Sequence, residues 1–259
     1  MPRFSVFGRL FYREDPLSHR LQTVATSSRV GVRLWRAIPV MGIEEFTDIR
    51  MRLDQAHGQL CKEFEGIYDE AKIRAMLEES ARELEGANVA SFVPILAHRF
   101  TRERLRAQAQ TEGKLTKTLI DVVFVSLTGG GRAQIGAALL DRDTSGAVNV
   151  HAAATGAGLE VDPNVRDALI EVGIDAAEAY TRPLSPEVLA GADVVVTMGR
   201  SVGAVTIPEH VRHVDWRVGD PAGAKLDEVR RVRDDIQRRV DELAAELQQA
   251  AEDAASPRN

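Results

Sequence analysis

Residues 119–125 run Leu-Ile-Asp-Val-Val-Phe-Val, and the next seven are Ser-Leu-Thr-Gly-Gly-Gly-Arg. An apolar run this continuous, without period-two alternation, is what a strand covered on both faces requires. The glycines end it, and residues 133–140 then follow a helical period. The alternation continues with a strand over 148–152 and a helix opened by Asp162-Pro163, carrying Val165, Leu169 and Val172 and stopped by Gly173. Strands over 192–198 and 211–216 come next. Leu226, Val229, Val232, Ile236, Val240, Leu243 and Leu247 then trace a long amphipathic helix. Such alternation predicts an α/β domain, a four-stranded parallel sheet with helices on both faces. Sheets of this kind take ligands at the carboxyl ends of their strands, beside a switch in strand order. The glycine turn after the first strand is therefore the candidate site.

Ahead of this domain the period is 3.6. Phe46, Ile49, Leu53, Ala56, Leu60 and Phe64 share one helical face, and Gly66 is the expected stop. Asp69 is placed to cap a second helix with Ile73, Met76, Leu77 and Leu84 inside. Ser91 is placed to cap a third, through Leu96, Phe100 and Leu105 to Gly113, with Pro94 in its first turn. Three helices with short joints predict a small bundle. No metal constellation is expected in it. His57 and His98 stand alone on different helices, and Cys61 lies beside the apolar stripe as a small hydrophobe.

Charge is uneven along the chain. Residues 1–40 hold seven arginines, no lysine and two acids, a net +5, so the remainder carries −11 of the overall −6. Arginine-rich, serine-rich and acid-poor is the profile of a transit peptide; the plainer expectation is a disordered tail, or upstream sequence read from an early start. No run approaches the roughly 18 apolar residues of a membrane helix, and the acidic balance does not suggest a nucleic-acid surface. A lone cysteine excludes an intrachain disulfide. The expected organisation is a basic extension over 1–43, the bundle over 44–114, the α/β domain over 115–250 and a flexible tail over 251–259. A cytoplasmic location fits this composition, with no cofactor implied.

The turn itself is Ser126-Leu127-Thr128-Gly129-Gly130-Gly131-Arg132. Successive glycines let backbone N–H groups point inward, and a helix begins directly after, so the loop can form a nest for an anion. Arg132 adds a fixed charge and a bidentate fork. A dinucleotide fingerprint would need glycine where Gln134 stands. A P-loop spanning Gly131 and Gly136 would need Lys and Ser/Thr where Ala137 and Ala138 stand. A plain glycine turn joining strand to helix remains the alternative to anion binding.

Val123-Phe124-Val125, Ser126-x5-Arg132 and Gln134 resemble the phosphate loop of the low-molecular-weight tyrosine phosphatases and, most of all, of the related arsenate reductases. The resemblance continues in order through Val172-Gly173-Ile174-Asp175, the segment 192–199, Asp215-Trp216, Asp220-Pro221-Ala222-Gly223 and Val232-Arg233-Asp234. The segment 96–105 resembles the three-helix bundle fused ahead of some actinobacterial arsenate reductases. Together these cover roughly residues 50–247 and imply a flavodoxin-like sheet. They also imply that the oxyanion (phosphate, arsenate or sulfate) would sit over residues 127–132, held by Arg132, with Asp220 at the position of the general acid.

The departures bear on activity. The resemblance implies a cysteine nucleophile where Ser126 stands, and two relay cysteines where Arg200 and Ala204 stand. The family's loop asparagine is Gly129, and the hydroxyl after its arginine is Ala133. A thiol in such a nest is a thiolate near neutral pH, whereas serine needs an adjacent base. No histidine or lysine lies in or next to this loop in sequence; a base from elsewhere in the fold is the open route. Loss at 129, 133, 200 and 204 together with 126 points to natural degeneration rather than a single trapping substitution. The expected function is thus a degenerate member that binds an oxyanion or a phosphorylated partner. The alternatives are a weak phosphatase using Ser126 or water with Asp220, and an interaction protein acting through residues 44–114. Limited proteolysis is expected to trim the chain to near Met41 while leaving the rest folded; a tail as resistant as the sheet would contradict the charge argument.

Overall fold

A computed structural model describes residues 43–84, 92–127, 131–156, 161–175, 182–199 and 205–255. The expectations for residues 1–42 lie outside them. The first three helices are α1 (Ile43–Glu63), α2 (Glu70–Glu83) and α3 (Val93–Thr111). Asp69 caps α2 as expected, its carboxylate accepting from the Lys72 amide at 2.7 Å. Ser91 is outside the described residues; the residue at the N-cap of α3 is Phe92, without a side-chain cap, and Pro94 sits in the first turn. Leu60, Phe64, Ile73, Leu77, Leu84, Ala97 and Leu105 form the bundle core.

The α/β part follows as β1 (Ile120–Ser126), α4 (Arg132–Thr144), β2 (Val148–Ala154), α5 (Pro163–Ile170), β3 (Arg182–Pro183), α6 (Pro186–Gly191), β4 (Val194–Met198), β5 (Arg212–Trp216) and α7 (Leu226–Ala255). The sheet is parallel in the order β3-β2-β1-β4-β5. It has five strands rather than four, because the two residues of β3 join the edge beside β2. Helix α7 continues past residue 250 to Ala255. Alternate side chains of β1 divide the core. Val122 and Phe124 pack with residues of α4, α5 and α7 on one face. Val123 and Val125 pack with Leu189 of α6 on the other. No described helix is long and apolar enough to cross a membrane.

Adjacent residues of α3 reach from the bundle into the α/β part. Glu103 pairs with Arg182 of β3, which also meets Nδ1 of His151 in β2 at 3.1 Å. Arg104 is buried and meets Glu187 of α6 at 2.9 Å, Glu79 of α2 at 2.8 Å and the Ser80 hydroxyl at 3.3 Å. Close approach completes the contact: a side chain on Gly191 would meet Ala107 of α3. A buried cation is tolerated because carboxylates meet it, and removing it leaves the partly buried Glu187 without its counter-charge. Arg104→Ala is therefore expected to lower stability by about 1.5–3 kcal/mol, as for lost hydrogen bonds to charged groups; urea unfolding followed by far-UV CD measures it, and an unchanged midpoint would mean the joint does not hold the fold.

Candidate functional site

Strand β1 is central, with β2 on one side and β4 on the other, so the chain reverses its direction of travel across the sheet at β1. Ser126 ends β1 in register with Met198, which ends β4. It is completely buried, and it alternates onto the same face as Phe124. The backbone just beyond the strand is held by the end of β2. The Thr155 amide donates to Ser126 O at 3.1 Å and the Gly156 amide to Leu127 O at 2.8 Å. Gly156 must be small, since a Cβ there would lie 2.7 Å from Leu127 O.

Helix α4 begins at Arg132, with Gly131 as its N-cap. The first-turn amides of a helix have no intrahelical acceptor, and with the dipole they favour an anion. Gly131 is extended; its smallness is what matters, since a Cβ would come within 2.6 Å of Pro221 and 2.9 Å of Val165. The Asp220-Pro221 segment is thereby seated against the loop. Arg132 is only 8% exposed. Its guanidinium meets Asp220 Oδ2 at 3.1 Å and lies over the backbone of Gly199, where a Cβ would be 2.2 Å from Nη1. Leu127, Gly131, Arg132, Ser126 and Asp220 are all described. Thr128, Gly129 and Gly130 lie outside the described residues, as do Arg200 and Ala204.

Three partners of the site were not assigned from sequence. Asp162 caps α5 through Asn164 N at 2.8 Å and also accepts from Gly223 N at 3.0 Å. Asn164 Nδ2 donates to Ala224 O at 2.9 Å. These bonds fasten the segment after Asp220 to α5. Gly199 has φ +93° and donates its amide to Trp216 O at 3.1 Å. A glycine directly after a buried strand at a switch point was the available signal, but what lies over it is a long-range fact.

The histidines of the sheet bear on a base for Ser126. His151 and His213 are in register with Val123 and Val195, whose side chains belong to the face away from Phe124. His213 Nε2 meets the Thr197 hydroxyl at 2.9 Å instead. In the bundle, Cys61 Sγ lies 3.3 Å from His57 Nε2, and Arg74 Nη2 lies 3.0 Å from His57 Nδ1. Burial and the Glu70 charge push the Cys61 thiol up, away from thiolate chemistry.

Residues 121–253 match the family model for low molecular weight phosphotyrosine protein phosphatase, more than half of the chain. Residues 53–109 match a protein-tyrosine-phosphatase-like N-terminal domain. A putative arsenate reductase of Halobacterium salinarum is 33% identical over 129 residues, 48% of this chain and 90% of that protein. An arsenate reductase of Brevibacillus brevis is 39% identical over 93 residues, 34% of this chain and 69% of its own. The solved structure of the Corynebacterium glutamicum thioredoxin-dependent arsenate reductase matches with TM-score 0.68 and 28% identity, covering 76% of this chain and 97% of that one. The chain belongs to the low molecular weight phosphotyrosine protein phosphatase family, in which arsenate reductases are its relatives.

The contact between Arg132 and Gly199 gives a test of this geometry. Gly199→Ala puts a methyl group into the guanidinium at a φ that L side chains rarely adopt. It is expected to cost about 1–3 kcal/mol by overpacking and strain. A lowered thermal midpoint is the readout, and a variant as stable as the parent would contradict the placement of Arg132.

Proposed function

We propose that this chain is a catalytically degenerate member of the phosphatase and arsenate-reductase family that retains an oxyanion site at residues 126–132. The observation that carries this reading is Ser126, a buried alcohol at the end of β1, where the family chemistry calls for a thiolate. An alcohol becomes a useful nucleophile only when a base takes its proton. Both sheet histidines belong to the opposite face. Thioredoxin-dependent reduction, the activity for which the Corynebacterium protein is named, passes electrons through cysteines, and this chain has Cys61 alone, on α1 beside His57.

Binding is a separate matter from turnover. It needs inward amides, a helix N-terminus and a fixed cation, and the supports for these are present: Gly131 packed under Pro221, the first turn of α4, and the buried Arg132. The ligand class is a tetrahedral oxyanion, free or carried by a phosphorylated partner.

Activity and thiol-reactivity measurements on the parent and two variants test the reading. The parent is expected to show neither thioredoxin-coupled arsenate reduction nor hydrolysis of an aryl phosphate. Ser126→Cys is expected to create a thiol with a depressed pKa, seen as fast alkylation below neutral pH, because the nest and Arg132 favour its anion. Adding Gly129→Asn and Ala133→Ser is expected to raise aryl phosphate turnover above the single change by improving alignment. Robust turnover by the parent would overturn degeneracy. An introduced thiol with an ordinary pKa near ~8.5 would overturn the anion nest.

A further inference from the structure

The residue at the general-acid position does something else in this chain. Arg132 is buried, and a buried cation needs a partner. Among the described residues the carboxylate on it is Asp220, at 3.1 Å. The side chain of Asp220 is itself 54% exposed and so can rotate off the guanidinium into solvent. Its backbone cannot follow. A Cβ on Gly219 would lie 3.1 Å from Val232 of α7, and Pro221 fills the space beside Gly131 and Val165. The Ala222 amide donates to Asp220 Oδ1 at 3.2 Å, Gly223 N to Asp162 and Asn164 to Ala224 O. Both flanks of Asp220 are anchored, so a displaced carboxylate keeps its negative charge within a few ångströms of whatever takes its place.

We infer that Asp220 is the internal counter-ion of Arg132, and that it acts as a specificity-determining residue by competing with the oxyanion and disfavouring dianions. The inference rests on the oxyanion reading above. A doubly charged ligand meets the Asp220 carboxylate as a like charge at short range, where repulsion near a protein surface is strong. A protonated, singly charged oxyanion meets it with an O–H that donates to the carboxylate, turning repulsion into a charge-assisted hydrogen bond. Sulfate has no proton to give near neutral pH, whereas phosphate below neutrality does. The same two residues therefore separate anions of similar shape by charge state.

Isothermal titration calorimetry with sodium sulfate and sodium phosphate, at one pH slightly below neutral, tests this on the full chain. The proteins are the parent, Asp220→Asn, Asp220→Ala, Arg132→Ala and the Arg132→Ala/Asp220→Asn double variant. Sulfate affinity is expected to rise by about tenfold or more in both Asp220 variants, as removal of a neighbouring like charge implies. Phosphate affinity rises less, so the preference for phosphate shrinks. Arg132→Ala and the double variant bind neither anion, which places the gain on the guanidinium. If sulfate binds the Asp220 variants no better than the parent while Arg132→Ala abolishes binding, the site stands and the counter-ion role fails. If Arg132→Ala binds as the parent does, or if no protein binds either anion, the oxyanion reading fails and takes this inference with it.

Discussion

The seating of α4 on β1 depends on one contact. Phe124 is completely buried, and a Cβ on Gly136 would lie 2.7 Å from its ring. The glycine lets the helix lie directly on the ring, one turn after the residues that form the site. Trp216 of β5 packs against the same ring, with centroids 5.6 Å apart. Its carbonyl accepts from Gly199, and Gly199 lies under the Arg132 guanidinium. A single aromatic side chain thus sets the start of the helix that carries Arg132 and, through Trp216, the floor on which Arg132 rests. Removing such a ring from a core typically costs about 3–5 kcal/mol, so the geometry of the site and the stability of the fold are coupled.

The local parts of this arrangement were legible in the sequence. The buried run of β1, the caps at Asp69 and Asp162 and the apolar face of α7 are each determined by residues close together in the chain. The parts that escaped are made by distant ones. Arg182-Pro183 has no strand pattern of its own and becomes β3 only because Ala153 and Ala154 offer it an edge. The end of α7 escaped for a different reason. After Leu247 the chain reads Gln-Gln-Ala-Ala-Glu-Asp-Ala-Ala, good helix formers without an apolar stripe, so periodicity stopped before the helix did. At the site, the sequence placed Arg132 and Asp220 in one pocket only through family resemblance. That they meet each other follows from Pro221 filling the space at Gly131, a packing fact no local window contains.

The bundle is tied to the α/β part through α3. Neighbouring residues on α3 carry opposite charges and make opposite pairings, Glu103 with Arg182 at the sheet edge and Arg104 with Glu187 of α6. Because Leu184, just after β3, donates to Ala154 O, and Thr155 donates to Ser126 O, backbone bonds lead from the end of β3 to the end of β1. The face of α3 that holds these charges is spent within the chain.

The surroundings of Ser126 are held by contacts of their own. Serine and cysteine differ little in volume, but a buried hydroxyl requires a hydrogen-bond partner more strictly than a thiol does, so position 126 is constrained by polarity rather than by size. Gly131, Gly199 and Pro221 are different, because a larger residue at either glycine collides with a neighbour that also belongs to the core or to Arg132. Arg132 is held for a related reason. It is buried over Gly199 and paired with Asp220, and taking Asp220 away would leave a buried cation whose solvation must come from elsewhere. The two charges stabilise each other without any ligand or reaction. Packing at the two glycines and the Arg132–Asp220 pair therefore hold this arrangement through the folded chain itself.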